Sequence, residues 1–85
     1  MSNLTELPNI GTELAKRLEL IGVNSKEKLF ALGTEKVFIK LKTIYPDACH
    51  SQLYAIEGAI QGIRWHKLTD ERKNELKEFF RISGL

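Results

Sequence analysis

The segment from Cys49 to Ile63 constrains the fold more than any other part of the chain. Leu53, Ile56, Ile60 and Ile63 recur at helical spacing and make one apolar stripe. Ala55, Gly58, Ala59 and Gly62 put small residues elsewhere round the same barrel. Two glycines inside a helix cost roughly 1 kcal/mol each relative to alanine, and close approach of neighbouring helices is the usual offset. The segment therefore reads as a central helix against which others nestle. That arrangement leaves the turn at Pro8 on the outside, free to engage something.

The rest of the chain is cut into helices by regular punctuation. Leu4 to Leu7 has room for a short helical turn, and Pro8-Asn9-Ile10-Gly11 is a tight turn by its Pro and Gly content. From Thr12, Leu14, Ala15, Leu18 and Ile21 form a helical stripe, and Gly22 suits the left-handed residue that ends such a helix. Ser25 is an N-cap for Lys26 to Leu32, with Asn24 and Glu27 as an alternative capping box. Gly33 ends that helix. Thr34 caps the next, which runs to about Tyr45 with Val37, Phe38, Leu41, Ile44 and Tyr45 as its buried face, before Pro46 stops it. Trp65 to Leu68 is a connector in which Trp65 anchors to the core or meets a partner. Thr69 caps a last helix, with Asp70 and Glu71 in its positive first turn and Leu76, Phe79 and Phe80 as its apolar face. No segment alternates with period two. The expected class is all-α: a compact single domain, residues 1–85, of about five helices.

Composition narrows the functions. A chain of 85 residues has little apolar material to give to both a core and a deep catalytic cavity. Thirteen Lys and Arg stand against eleven Asp and Glu, a formal charge of +2, so the placement of the cations matters more than their excess. The lone Cys49 cannot form an intrachain disulfide and favours a reducing compartment. Met1 to Glu6 has no positive n-region or apolar h-region, and no apolar run approaches the ~20 residues of a bilayer span. These features predict a soluble, cytoplasmic protein with no membrane partner.

Three constellations are candidates for function. Leu4 to Leu18 resembles a helix-hairpin-helix: a first helical turn, a Pro-x-apolar-Gly turn, then a helix with Ala15 four residues after Gly11. In such a motif glycine permits close backbone approach, and unpaired amides at the start of the second helix face an anion. Asn9, Ile10 and Gly11 would supply the turn, and Lys16 and Arg17 would reach a neighbouring phosphate. Asn9 stands where a second glycine is common, and Glu6 and Glu13 flank the turn with negative charge. The alternative is a hairpin that joins helices or docks on protein. The second constellation is Lys36 and Lys40, one turn apart with Lys42 nearby and no acid from Lys36 to Pro46. It is either a phosphate-facing stripe or a solvated helix face. The third is the polar line Tyr54, Glu57, Gln61 and Arg64 along the central helix. If Glu57 is buried it needs Arg64 or the Tyr54 hydroxyl as a partner; the line is then a structural ion pair or a recognition patch.

Catalytic and metal chemistry find no support. Cys49, His50 and His66 lack the paired spacings of a four-ligand zinc site. Neighbouring Cys49 and His50 point about 100° apart on a helix, which does not suit a nucleophile and its base. There is no Gly-rich phosphate loop and no serine nucleophile elbow. No enzyme activity, metal or cofactor is expected.

Leu7-Pro8-Asn9-Ile10-Gly11, Leu29-Phe30-Ala31-Leu32-Gly33 and the run from Leu53 to Leu68, with Tyr54-Ala55-Ile56-Glu57-Gly58-Ala59 leading to Arg64-Trp65-His66-Lys67-Leu68, carry a wider resemblance. Together they resemble the C-terminal domain of the TfoX (Sxy) family of DNA-transformation competence regulators. The resemblance implies a helical domain related to helix-hairpin-helix and sterile-alpha-motif-like folds. It also implies a bacterial or prophage-related cytoplasmic setting, a link to competence regulation, and no catalytic residues. Family regulators usually carry an additional N-terminal domain, which a start at Met1 leaves out. Two functions follow as expectations. One is a regulatory module contacting nucleic acid through sequence-nonspecific backbone contacts at Asn9, Ile10, Gly11, Lys16 and Arg17. The other is a protein-interaction module docking on a transcription regulator or on its own copy.

Overall fold

Helices form where glycine and proline leave the apolar stripes uninterrupted. The computed structural model describes residues 3–83; Met1, Ser2, Gly84 and Leu85, counted in the single-domain reading, lie outside the described residues. A 3-10 turn, Leu4–Glu6, precedes α1 (Thr12–Leu20), α2 (Lys26–Leu32), α3 (Thr34–Ile44) and α4 (His50–Gln61). A second 3-10 turn, Trp65–Lys67, leads into α5 (Asp70–Ser83). The described residues contain no strand, so the class is all-α, as the periodicity predicts. No helix among them is long and apolar enough to cross a membrane. The radius of gyration, 11.7 Å, is close to the ~12 Å of a compact chain this long.

The capping chemistry explains the boundaries. Ser25 Oγ accepts the Lys28 amide at 3.1 Å and Thr69 Oγ1 accepts the Arg72 amide at 3.1 Å, each satisfying an N-terminal donor. The expected alternative cap at Asn24 is not used. Two helices end in the same way. Gly22 (φ +90) closes α1, with Val23 N–H donating to Leu18 O and Gly22 N–H to Glu19 O. Gly62 (φ +76) closes α4, with Ile63 N–H donating to Gly58 O and Gly62 N–H to Ala59 O. Both are Schellman motifs that satisfy terminal carbonyls. Gly62 is thus a terminator and not an interior glycine, which corrects the expected helix to Ile63.

Packing makes α4 the centre: it lies against α3, α5 and the second 3-10 turn, while α2 packs on α3 and α1 on the first turn. Leu4, Leu18, Leu29, Phe38, Leu41, Leu53, Ile56 and Leu76 are fully buried around it. Phe80 of α5 meets Phe38 edge to face at 5.8 Å, a favoured aromatic geometry. The first turn is tied to the start of α2, where Asn3 Oδ1 accepts the Lys26 amide and Glu6 pairs with Lys26 at 2.6 Å.

Two expectations for α3 are corrected. Thr34 does not cap it: Gly33, at φ +84, holds the N-cap position, and the buried Thr34 hydroxyl donates to Glu57 Oε1 at 2.6 Å. Ile44 is not part of the buried face. It is 59% exposed, because the stripe runs on past the end of the core.

Candidate functional site

The Pro8 turn is docked, not free. Asn9 adopts φ +70, a conformation asparagine tolerates better than most residues. Its Nδ2 donates to Ile63 O at 2.9 Å and, at a long 3.5 Å, to Ala55 O; its Oδ1 accepts the Trp65 amide at 3.1 Å. One side chain thereby closes the exit from α4. The close approach implied by the small residues of α4 is real, but the visitor at Gly58 is this turn and the Trp65 backbone, not a neighbouring helix. Ile10 is 4% exposed and belongs to the core.

An Asn9→Gly variant keeps the positive φ and loses the three contacts, so it should cost about 2 kcal/mol. Asn9→Ala adds left-handed strain of about 1–2 kcal/mol and should unfold at still lower urea. Equal midpoints for the two variants would show that backbone conformation contributes nothing.

Beyond the turn the picture is mixed. Gly11 caps α1 with an ordinary φ of −87°, and a Cβ added there would meet nothing within 4 Å. Gly11, Thr12 and Lys16 are exposed, and the first α1 amides have no intrahelical acceptor. Arg17, by contrast, is held by Asp47 through two hydrogen bonds of 3.2 and 3.0 Å, and its guanidinium lies 4.3 Å from the Tyr45 ring centroid. The hydrogen bond from Arg17, with its charge, holds the Asp47 carboxyl below the usual range.

The polar line on α4 does not act as one unit. Glu57 is buried, but neither expected partner reaches it. Thr34 Oγ1, Gln61 Nε2 and Arg72 NH2 donate to it, the last at 2.9 Å. Burial pushes the Glu57 carboxyl up; the hydrogen bonds from Arg72, Thr34 and Gln61 and the Arg72 charge outweigh it and hold the group below the usual carboxylate range. Arg72 also pairs with Glu35 at 3.1 Å and Glu75 at 3.2 Å, and the Glu57 hydrogen bond above all raises its own pKa. Arg64 is exposed and apart from this network. Tyr54 is buried and stacked on Trp65 (6.2 Å, 16°), and its hydroxyl makes no hydrogen bond among the described residues; burial raises its pKa. The Glu57 network ties α3, α4 and α5 together.

Lys36 and Lys40 are exposed, with no ion-pair partner among the described residues. Lys42 instead donates to Pro46 O and Ala48 O at 2.6 and 2.7 Å, closing the loop into α4. Beside Lys40 a surface groove of about 350 Å³ runs between α1 and α3, lined by Leu20, Ile21, Ile39, Lys40, Thr43 and Ile44. Leu20 is 75% exposed and Ile39 41%. Sequence reasoning missed this groove, although Leu20 and Ile39, apolar residues lying off the buried stripes of α1 and α3, were its signal. Cys49 is the N-cap of α4 and His50 its first residue, whereas His66 follows its end.

The family model described as the TfoX C-terminal domain matches residues 1–80. An uncharacterized protein from Listeria monocytogenes, solved in a triclinic form, is 41% identical with a TM-score of 0.94, over 98% of this chain and 94% of that chain. A protein of unknown function from Listeria monocytogenes, solved in a tetragonal form, is 41% identical with a TM-score of 0.90, over 92% and 96%. No curated protein matches the chain. Matched by the family model over residues 1–80, and in fold by a relative 41% identical, the chain belongs to the TfoX C-terminal domain family.

Proposed function

We propose that this domain is a non-enzymatic regulatory module, serving competence regulation as its family does, and that it works by docking another protein on the face between α1 and α3. The observation that carries the reading is a contrast between two surfaces. At the hairpin, two of the side chains that would meet a phosphate backbone are already engaged within the domain: Asn9 with Ile63 and Trp65, Arg17 with Asp47. Between α1 and α3, Leu20, Ile39 and Ile44 stand in solvent around a groove. Contiguous exposed apolar side chains mark protein contacts, whereas most contacts to a duplex go to phosphate and sugar.

A second reading has an observation of its own. Neither conformation nor packing requires glycine at position 11, and the residue leaves the start of α1 open beside exposed Lys16. Nucleic acid bound there would be held by charge and released by salt.

Site-specific photo-crosslinking separates the two. With p-benzoylphenylalanine in place of Ile39, the expected product in the host cell is a protein adduct, and in place of Thr12 none. Nucleic-acid adducts at Thr12, together with duplex affinity at about 50 mM salt that falls steeply with salt and is lost in Lys16→Ala, would overturn the docking reading.

A further inference from the structure

The groove also specifies what kind of partner fits it, an inference that rests on the docking reading. We propose that its occupant is an amphipathic helix of another protein, with an apolar stripe flanked by acidic residues. Four of the six lining residues are apolar: Leu20 and Ile21 at the end of α1, and Ile39 and Ile44 on α3, with Lys40 and Thr43 between them. A trough between two helices takes the i, i+4, i+7 anchors of a third. Leu20 at 75% exposure and Ile44 at 59% are the largest such side chains left uncovered on this side.

Charge selects the occupant. From Lys36 to Ile44, α3 carries no carboxylate. Lys40 lines the groove, and Lys36 stands one turn, about 6 Å, before it on the same face of α3; both are exposed and without an ion-pair partner among the described residues. The neighbouring carboxylates do not answer these lysines: Glu35 is held by Arg72 and Asp47 by Arg17. Glu19 precedes Leu20 and so lies about 100° away round α1. Two glutamates one turn apart on an incoming helix match the spacing of Lys36 and Lys40.

The same charges argue against the other occupants. A two-fold dimer brings one patch against itself, which would gather the Lys36 and Lys40 cations of both copies into one interface with no carboxylate from this stretch of α3 to answer them. Nucleic acid would satisfy the lysines and leave four apolar side chains against phosphate and water.

The test uses two stapled helical peptides, each with leucines at i, i+4 and i+7. One carries glutamates beside them and the other lysines at the same positions. Titrated into ¹⁵N-labelled protein, the glutamate peptide should shift amides in the 18–21 and 36–44 regions. Its affinity should fall about tenfold or more in the Lys36→Glu, Lys40→Glu double variant, and the lysine peptide should bind that variant in preference. Both substitutions are on exposed positions, so folding is not at stake. Equal binding of the two peptides, shifts elsewhere, binding of random duplex DNA at these residues, or a dimer abolished by the double variant would each overturn the proposal. A protein adduct at Ile39 with no binding of the glutamate peptide overturns the acidic helix and leaves docking standing. Absence of any adduct at Ile39 overturns docking itself.

Discussion

Gly58→Ala lowers the stability of this domain by about 3 kcal/mol, read as a fall in the urea midpoint with an unchanged slope. The sign is the informative part, because helix propensity alone predicts a gain of about 1 kcal/mol for alanine at an interior helical position. Packing decides against it. A Cβ at residue 58 would lie 2.8 Å from Ile63 O and 3.2 Å from Trp65 Cα, and closer still to Asn9 Nδ2. The Asn9 amide ends a side chain and can swing away, at the expense of its bonds to Ile63 and Trp65. The Ile63 carbonyl is backbone, fixed by the left-handed Gly62 that precedes it, and cannot. Overpacking of this kind costs about 1–3 kcal/mol, and the displaced hydrogen bonds add about 1 kcal/mol each. Because Asn9 and Gly58 share one contact, their effects are not additive. Gly58→Ala combined with Asn9→Gly should be less destabilised than the sum of the two single variants. A midpoint that rises in Gly58→Ala would show that the close approach is not there.

The helices were legible because each boundary is written locally. Ser25 and Thr69 each cap the helix that follows immediately, and Gly22 sits where a left-handed residue is needed. Most of the errors share a cause: they needed knowledge of a residue far away in sequence. Gly62 looked interior because Ile63 continues the apolar spacing, and only the bond from Ile63 to Gly58 shows that the helix has ended. Thr34 has the composition of a cap, but Glu57, 23 positions on, takes its hydroxyl. Arg17 looked as open as Lys16 until Asp47, 30 positions on, claimed it. The type of Asn9 matched its positive φ, yet its bridge to Ile63 spans 54 positions. The burial of Glu57 followed from the small residues around it. Its partner did not, since nothing at helical spacing points from Glu57 to Arg72. The α1–α3 groove was hidden in a different way: Ile44 extends a stripe read as buried and Leu20 lies off the α1 stripe, and their exposure is visible only in the folded chain.

Arg72→Met should cost about 3 kcal/mol at pH 7, because it leaves the Glu57 carboxylate buried with only Thr34 and Gln61 as donors. Arg72 is 26% exposed and Glu57 9% at the side chain, so the stranded acid, not the lost cation, sets the penalty. The dependence on pH follows from the direction of the shift. In the native protein Glu57 titrates below its unfolded value, so its contribution is fully present above the unfolded carboxylate range, near 4.3. It is lost as the pH falls through the lower folded value. Without Arg72 the burial that pushes the group up is opposed less, and protonation relieves the stranded charge. The gap between native protein and variant should therefore narrow as pH falls from 7 towards 4. Removing both charges, as Glu57→Leu with Arg72→Met, should be milder than Arg72→Met alone, since a buried pair replaced by apolar groups is often near neutral. Urea midpoints at pH 7 and pH 4 measure all of this. A constant gap across that range, or a double variant weaker than the single one, would mean that Arg72 acts through packing of its stem and not through its charge on Glu57.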